Sequence, residues 1–285
     1  MSAHSPAQPA TPNAENTEDS GDRDDVVFVT GAGGGIGGAV VGALLATDAQ
    51  VYATDVDGDA LDELARQHSS ERLHTRIVDV RDTASVETAV TQAEAEVGPI
   101  AGLVCAHGIL RAGSALSQLD EEWQLVHDVN VGGVMRVARA VTRGMAARQR
   151  GAVVTIGSNA AAVARDGLSA YASSKAAARH YTLCLGVELA PLGIRCNVVS
   201  PGSTDTAMLS GAWETRDRPT EAGLEGAVNR RAIAGTPEAF WPGIPLGRIA
   251  QPEWIADAVT FLLSPQARHL ALHDLRVDGG ATLGA

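Results

Sequence analysis

From Val26 onward, short β-branched runs alternate with longer segments of helical period. That alternation restricts the chain to a parallel sheet with crossover helices. Strands are expected at 26–30, 50–55, 73–79, 100–106, 151–157, 193–199 and 271–277, and helices at about 35–47, 58–68, 83–96, 120–149, 169–190 and 252–263. Segments such as Val26-Val27-Phe28-Val29 and Ala152-Val153-Val154-Thr155-Ile156 are nearly continuous apolar runs. A strand needs such a run when helices cover both of its faces. One doubly wound α/β domain over 26–285 follows, a seven-stranded parallel sheet with helices on both sides. Residues 203–248 interrupt the pattern with Pro219, Pro237, Pro242 and Pro245, and a stretch that long in a compact domain is expected to be a substrate lid. There is no internal repeat.

Residues 1–25 carry Pro6, Pro9 and Pro12 and then an acidic run, with no apolar side chain larger than Ala after Met1. They cannot offset ordering entropy by burial and are expected to be a disordered acidic tail. The formal net charge of −12, of which this tail contributes −5, disfavours a nucleic-acid partner, because displacing phosphate counterions needs a basic surface. Cys105, Cys184 and Cys196 are widely spaced and form no Cys-x-x-Cys pair, so neither a disulfide framework nor a zinc site is expected, and a cytoplasmic location fits. No secretory leader is read at the N-terminus. Residues 26–47 lack charge for 22 positions, a length that could span a bilayer, but seven of them are Gly, and no membrane association is expected. His269 and His273 lie four apart without a carboxylate motif, and no metal site is assigned.

The first strand runs into Thr30-Gly31-Ala32-Gly33-Gly34-Gly35-Ile36-Gly37, and an apolar helix follows directly. In that position Gly31 permits a tight turn, Gly35 lets the backbone approach a pyrophosphate, and Gly37 lets the helix press on the sheet with its free N–H groups toward the phosphates. This is the dinucleotide arrangement of a Rossmann-type domain, although the spacing is G-x-x-x-G-x-G. Asp55 closes the second strand, 18 residues after Gly37, where an acid accepts from the adenosine ribose hydroxyls. No Arg or Lys stands between 38 and 65 to meet a 2′-phosphate, so NAD is expected over NADP. Asp79, at the end of the third strand, is a candidate for the adenine edge. A strand-end turn acid is the alternative for both aspartates.

Tyr171-Ala172-Ser173-Ser174-Lys175 opens an alanine-rich helix, so Tyr171 and Lys175 project from one face. A free phenol, with a pKa near 10, is a poor base at neutral pH, and a neighbouring ammonium is expected to lower it. An exposed Tyr beside a solvated Lys is the plain alternative. Ser158 follows the fifth strand and Asn130 lies in the long helix before it. Ligands of open α/β sheets collect at the carboxyl ends of the strands, so these residues can share one cleft with Gly35 and Asp55.

Thr30-Gly31-x-x-x-Gly35-Ile36-Gly37, Asn130, Ser158, Tyr171-x-x-x-Lys175 and Pro201-Gly202, in this order, resemble the short-chain dehydrogenase/reductase family over nearly all of 26–285. The resemblance implies that Tyr171 is the general acid/base, that Ser158 holds the substrate oxygen and that Lys175 also binds the nicotinamide ribose. It implies a water relay supported by Asn130 and a carboxamide contact from Thr204. It also adds Gly33, Ile36, Val80, Pro201 and Gly202 to the cofactor set. Within the family, Gly108-Ile109-Leu110-Arg111, the run 197–206, the run 243–250 and the C-terminal 277–285 resemble the 2,3-dihydro-2,3-dihydroxybenzoate dehydrogenases.

That resemblance implies NAD-dependent oxidation of the ring 3-hydroxyl of a cyclohexadiene carboxylate, followed by aromatisation, in siderophore or other secondary-metabolite synthesis. A substrate carboxylate asks for a cation: Arg111 and Arg165 are the candidates, with Arg216, Arg230 and Arg231 of the lid behind them. The chain departs from the pattern at Cys105-Ala106-His107-Gly108, where Asn-Ala-Ala-Gly is usual, and at Asn159, where an acid is common after the catalytic serine. These changes bring the 2-amino analogue, 2,3-dihydro-3-hydroxyanthranilate, alongside the diol, with His107 and Asn159 as substrate contacts; His107 as a space-filling loop residue is the alternative. A ketoacyl or other carbonyl reductase of the same fold, and an NAD-sensing protein without turnover, are the competing readings. A homotetramer is implied by the family, and the small face Ala172, Ala176, Ala177 suits close packing against a symmetric copy, packing on the chain's own sheet being the alternative.

Overall fold

A computed structural model describes residues 25–214, 230, 232–235 and 242–282. The β-branched runs become β1 (Val26–Thr30), β2 (Gln50–Asp55), β3 (Leu73–Ile77), β4 (Ile100–Cys105), β5 (Gly151–Ile156), β6 (Ile194–Pro201) and β7 (Asp274–Val277). They form one parallel sheet in the order β3-β2-β1-β4-β5-β6-β7. The order reverses between β1 and β4, and a crevice opens there at the carboxyl ends of the strands.

The helices are α1 (Gly35–Leu45), α2 (Gly58–His68), α3 (Thr83–Glu96), α4 (Asp120–His127), α5 (Val134–Arg148), α6 (Ser169–Leu189), α7 (Ala207–Glu214) and α8 (Pro252–Leu263). Alternate strand residues feed two separate cores. Val29, Val51, Ala53, Val104 and Val154 pack with α1, α2 and α8, whereas Phe28, Tyr52, Leu103, Cys105 and Val153 pack with α3, α5 and α6. This is why the central strands β1, β4 and β5 are nearly continuous apolar runs. Each fully buried Val, Leu or Ile stabilises the fold by roughly 1.5–3 kcal/mol relative to exposure. Asp57 and Asp82 cap α2 and α3, accepting from the amides of Ala60 and Ala84.

The uncharged stretch 26–47 is thus β1, the glycine turn and α1 inside the domain. Among the described residues no helix is long and apolar enough to cross a membrane.

Several boundaries differ from expectation. The helix expected over 120–149 is two helices, α4 and α5, joined by a π-helical turn at Asp128–Gly133. β7 begins at Asp274, because Leu272 adopts a left-handed conformation (φ 60°) that extended chain cannot contain. Asp25, counted with the tail, is ion-paired with Arg150 and belongs to the domain. The rest of the tail, residues 1–24, lies outside the described residues. The proposed lid is not structureless: α7 lies within it, and its Leu209, Ala232, Ile233 and Ile244 cluster with Ile249 and Ala281 outside it. Its positions 215–229, 231 and 236–241 lie outside the described residues.

Candidate active site

A cleft of about 600 Å³ runs along the carboxyl ends of the strands. At one end lie Asp55, Asp79 and Val80; in the middle, Gly31, Gly33, Gly35, Ile36 and Gly37; at the other end, Ser158, Tyr171 and Lys175. Pro201, Gly202 and Thr204 close it from the side of β6, and His107, Arg111, Asn159 and Arg165 also line it.

The glycine turn is built by close approaches. Gly31 has φ +70°, and a Cβ there would stand 2.5 Å from the backbone of His107. At Gly37 a Cβ would overlap the Gly31 carbonyl oxygen. The space a Cβ would take at Gly35 is bounded instead by Thr206, 2.8 Å away across the cleft. No side chain caps α1, so its first-turn N–H groups remain directed toward the cleft. Asp55 is held by two backbone donors, Gly33 at 2.9 Å and Asp57 at 3.1 Å. A carboxylate fixed in this way still has lone pairs for a diol. These features fit a bound dinucleotide, with the pyrophosphate at the α1 N-terminus and a ribose at Asp55.

Asp79 makes a bidentate contact with Arg81, with bonds of 2.6–3.1 Å. The Arg81 hydrogen bonds hold the carboxyl of Asp79 below its ordinary value. Val80 packs beside Gly133 at the end of the π-helical turn.

Tyr171 and Lys175 are both buried and lie on the face of α6 turned to the sheet, with Ser174, Ala178 and Thr182. Lys175 Nζ donates to the Ile156 carbonyl at 2.9 Å. Burial pushes its pKa down to about 8. The expectation that Lys175 lowers the Tyr171 phenol needs correction. Burial raises Tyr171 above its ordinary value, and the opposing influence is a hydrogen bond with Ser158. A phenolate loses more hydration on burial than the Ser158 hydroxyl returns. Ser158 in turn accepts from the amide of Ala160 at 3.1 Å, which orients its hydroxyl.

Asn130, fully buried in the π-helical turn, accepts from the Ile109 amide at 2.8 Å and donates to the Ile109 carbonyl at 2.9 Å and to Ser174 Oγ at 2.9 Å. Ser174 Oγ donates onward to the Tyr171 carbonyl at 2.7 Å. Ser174, which the sequence reasoning missed, ties Asn130 to the main chain of Tyr171. Its signal was available: it lies three residues after Tyr171 on the buried stripe of α6. Between Asn130 and Lys175 stands Gly108, where a Cβ would be 3.0 Å from Lys175 Nζ and 3.3 Å from Asn130 Oδ1.

The substrate candidates divide. Arg165 is partly buried, and loss of hydration lowers its pKa while the Asp278 carboxylate opposes the shift. Arg111 is exposed and donates to the Leu110 carbonyl. Arg230 is exposed, and Arg216 and Arg231 lie outside the described residues. Asn159 donates to Asp278 at 3.3 Å. His107 is buried with Nδ1 2.6 Å from Thr30 Oγ1. Cys105 points into the core, fully buried with its thiol pushed up to about 12, and is not part of the cleft wall.

Residues 25–217 match the short chain dehydrogenase family. The chain belongs to that family. It is 45% identical over 261 residues to a 2,3-dihydro-2,3-dihydroxybenzoate dehydrogenase of Bacillus subtilis, covering 91% of this chain and 96% of that one. It is 40% identical over 259 residues to the Escherichia coli protein of the same name, covering 91% and 97%. Among solved structures, an actinorhodin polyketide ketoreductase with NADPH superposes with a TM-score of 0.84 at 28% identity, covering 92% of this chain and 99% of that one. As a short-chain dehydrogenase the chain is an oxidoreductase of CH–OH groups that uses a nicotinamide cofactor.

Proposed function

We propose that this dehydrogenase oxidises the ring 3-hydroxyl of a 2,3-dihydro-aromatic carboxylic acid with NAD, and that the ketone so formed tautomerises to an aromatic ring. The observation that carries the reading is its 40–45% identity, across nearly the whole chain, to relatives named 2,3-dihydro-2,3-dihydroxybenzoate dehydrogenase. Asp55, fixed by two amides, and the absence of Lys and Arg from 38–65 support NAD over NADP.

When bound, the nicotinamide accepts the hydride. The remaining work belongs to the chain. Ser158 and Tyr171 hold the substrate oxygen, and Tyr171, in its phenolate form, takes the hydroxyl proton as the hydride leaves the ring carbon. Lys175 supplies a buried positive charge on the same face of α6. The ring lies against Leu110, Leu125, Leu168 and Ile244, which exclude water from the reacting carbon. Arg165, partly dehydrated in the cleft wall, pairs with the carboxylate. Aromatisation makes the oxidation downhill. Asn159, an amide beside Ser158 in the cleft wall, favours keeping the 2-amino substrate as a second reading.

The test is to supply 2,3-dihydro-2,3-dihydroxybenzoate, 2,3-dihydro-3-hydroxyanthranilate or a 3-oxoacyl thioester, each with NAD(H) and NADP(H), and to follow reduced cofactor and product mass. Turnover of the diol or the amine with NAD assigns the ring 2-substituent. Turnover of the thioester alone overturns the reading in favour of a carbonyl reductase. The proposal extends to a cytoplasmic homotetramer, whose mass sedimentation would measure.

A further inference from the structure

We propose that His107 is a positioning residue that locks the glycine turn to the π-helical turn carrying Asn130, and so sets where a bound dinucleotide lies relative to Tyr171 and Lys175. The inference rests on the dehydrogenase reading of the cleft, but not on the identity of the substrate.

The imidazole spans two elements. At one end its Nδ1 stands 2.6 Å from Oγ1 of Thr30, the last residue of β1 and the one directly before the glycine turn. The His107 main chain grips the same place, because Gly31 has no Cβ to keep it away. At the other end, a Cβ placed on Gly133 would be 2.8 Å from His107 Nε2 and 2.8 Å from Val80 Cγ2. The ring edge therefore abuts the last residue of the turn that presents Asn130. Val80, from the adenine side of the cleft, shares that contact.

The residue is only 7% exposed, so the place of its ring is set by packing and not by solvent. An alanine at 107 would remove the short bond of Thr30 and leave a gap against Gly133 and Val80. Burial and the nearby Lys175 ammonium keep the imidazole neutral, so it fills this place without adding a second positive charge beside Lys175.

NADH binding, followed by fluorescence, and thermal melting would be measured for wild type, His107→Ala, His107→Asn and Thr30→Val. One hydrogen bond of this kind corresponds to roughly a tenfold change in affinity. His107→Ala is expected to weaken NADH binding about that much and to lower kcat more than it raises the substrate KM. His107→Asn, whose amide can occupy the Nδ1 position, should return affinity to within about threefold of wild type. Thr30→Val should resemble His107→Ala and tests the same bond should the alanine variant fail to fold. A melting temperature that falls while NADH affinity stays unchanged would mean a filler residue only and would overturn the proposal. So would an asparagine variant no better than alanine. A wild type that binds neither NADH nor NADPH would overturn the cofactor reading itself, a failure seen before any variant is compared.

Discussion

Asn130 and the main chain of Ile109 hold each other reciprocally, the Ile109 amide donating to Oδ1 and Nδ2 donating back to the Ile109 carbonyl. Asn130→Leu keeps the side-chain volume and leaves both main-chain groups of Ile109 without this partner. The expected cost is about 2–4 kcal/mol of stability, read from urea unfolding. Unchanged unfolding would mean that water replaces the amide.

Tyr171→Phe should lower kcat by about 10²–10⁴ while NADH affinity stays within about twofold. The Ser158 hydroxyl lowers the Tyr171 pKa against a larger rise from burial. Ser158→Ala should therefore move the rising limb of the oxidative pH–rate profile to higher pH, besides slowing the reaction. A shift toward acid would contradict the geometry of the pair.

The His107 imidazole, with its pKa pushed down to about 3 from 6.5, links stability to pH. The unfolded chain binds a proton between these values and the folded chain does not. Stability is full above pH 6.5 and falls as pH drops toward 3, by about 2 kcal/mol at pH 5. His107→Asn should remove that share, so the stability gap between wild type and variant should narrow, or reverse in favour of the variant, between pH 7 and pH 5. Parallel curves would refute the assignment.

Gly108→Ala places a methyl 3.0 Å from Lys175 Nζ and 3.3 Å from Asn130 Oδ1. Position 108 is not left-handed, so the backbone tolerates the change, and stability should fall by about 1–3 kcal/mol from the added methyl. Turnover of the folded enzyme should fall as well, by about tenfold or more, because the methyl occupies the gap between two groups expected to handle protons. Full activity would mean that no relay passes there.

Much of the fold was legible, because apolar periodicity is a local signal. α2, α3 and α8 begin and end at the residues that the helical period gives. Asp55, Ser158, Tyr171 and Lys175 were readable from type and place, and the structure brings them to one cleft. The π-helical turn was not readable, since its cause lies in long-range contacts of Asn130 with Ile109 and of Gly133 with His107. For the same reason the direction of the Tyr171 shift escaped a spacing argument: two residues four apart on a helix reveal their neighbourhood, but not how dry it is. His107 was read toward substrate, and only the packed chain reveals its bond to Thr30.

The π-helical turn also has a consequence for how this sequence can vary. A regular helix advances about 100° per residue, and a π turn inserts one residue's worth of rotation without lengthening the axis by a full turn. The segment before it packs with α6, while the one after it buries Val134, Val137, Val141 and Met145 beneath the sheet. Deleting one residue among 128–133 would restore an unbroken helix with better hydrogen bonding. It would also leave one of the two faces pointing the wrong way. In this stretch a more regular helix and a working cleft are incompatible, and selection for function must retain the irregularity.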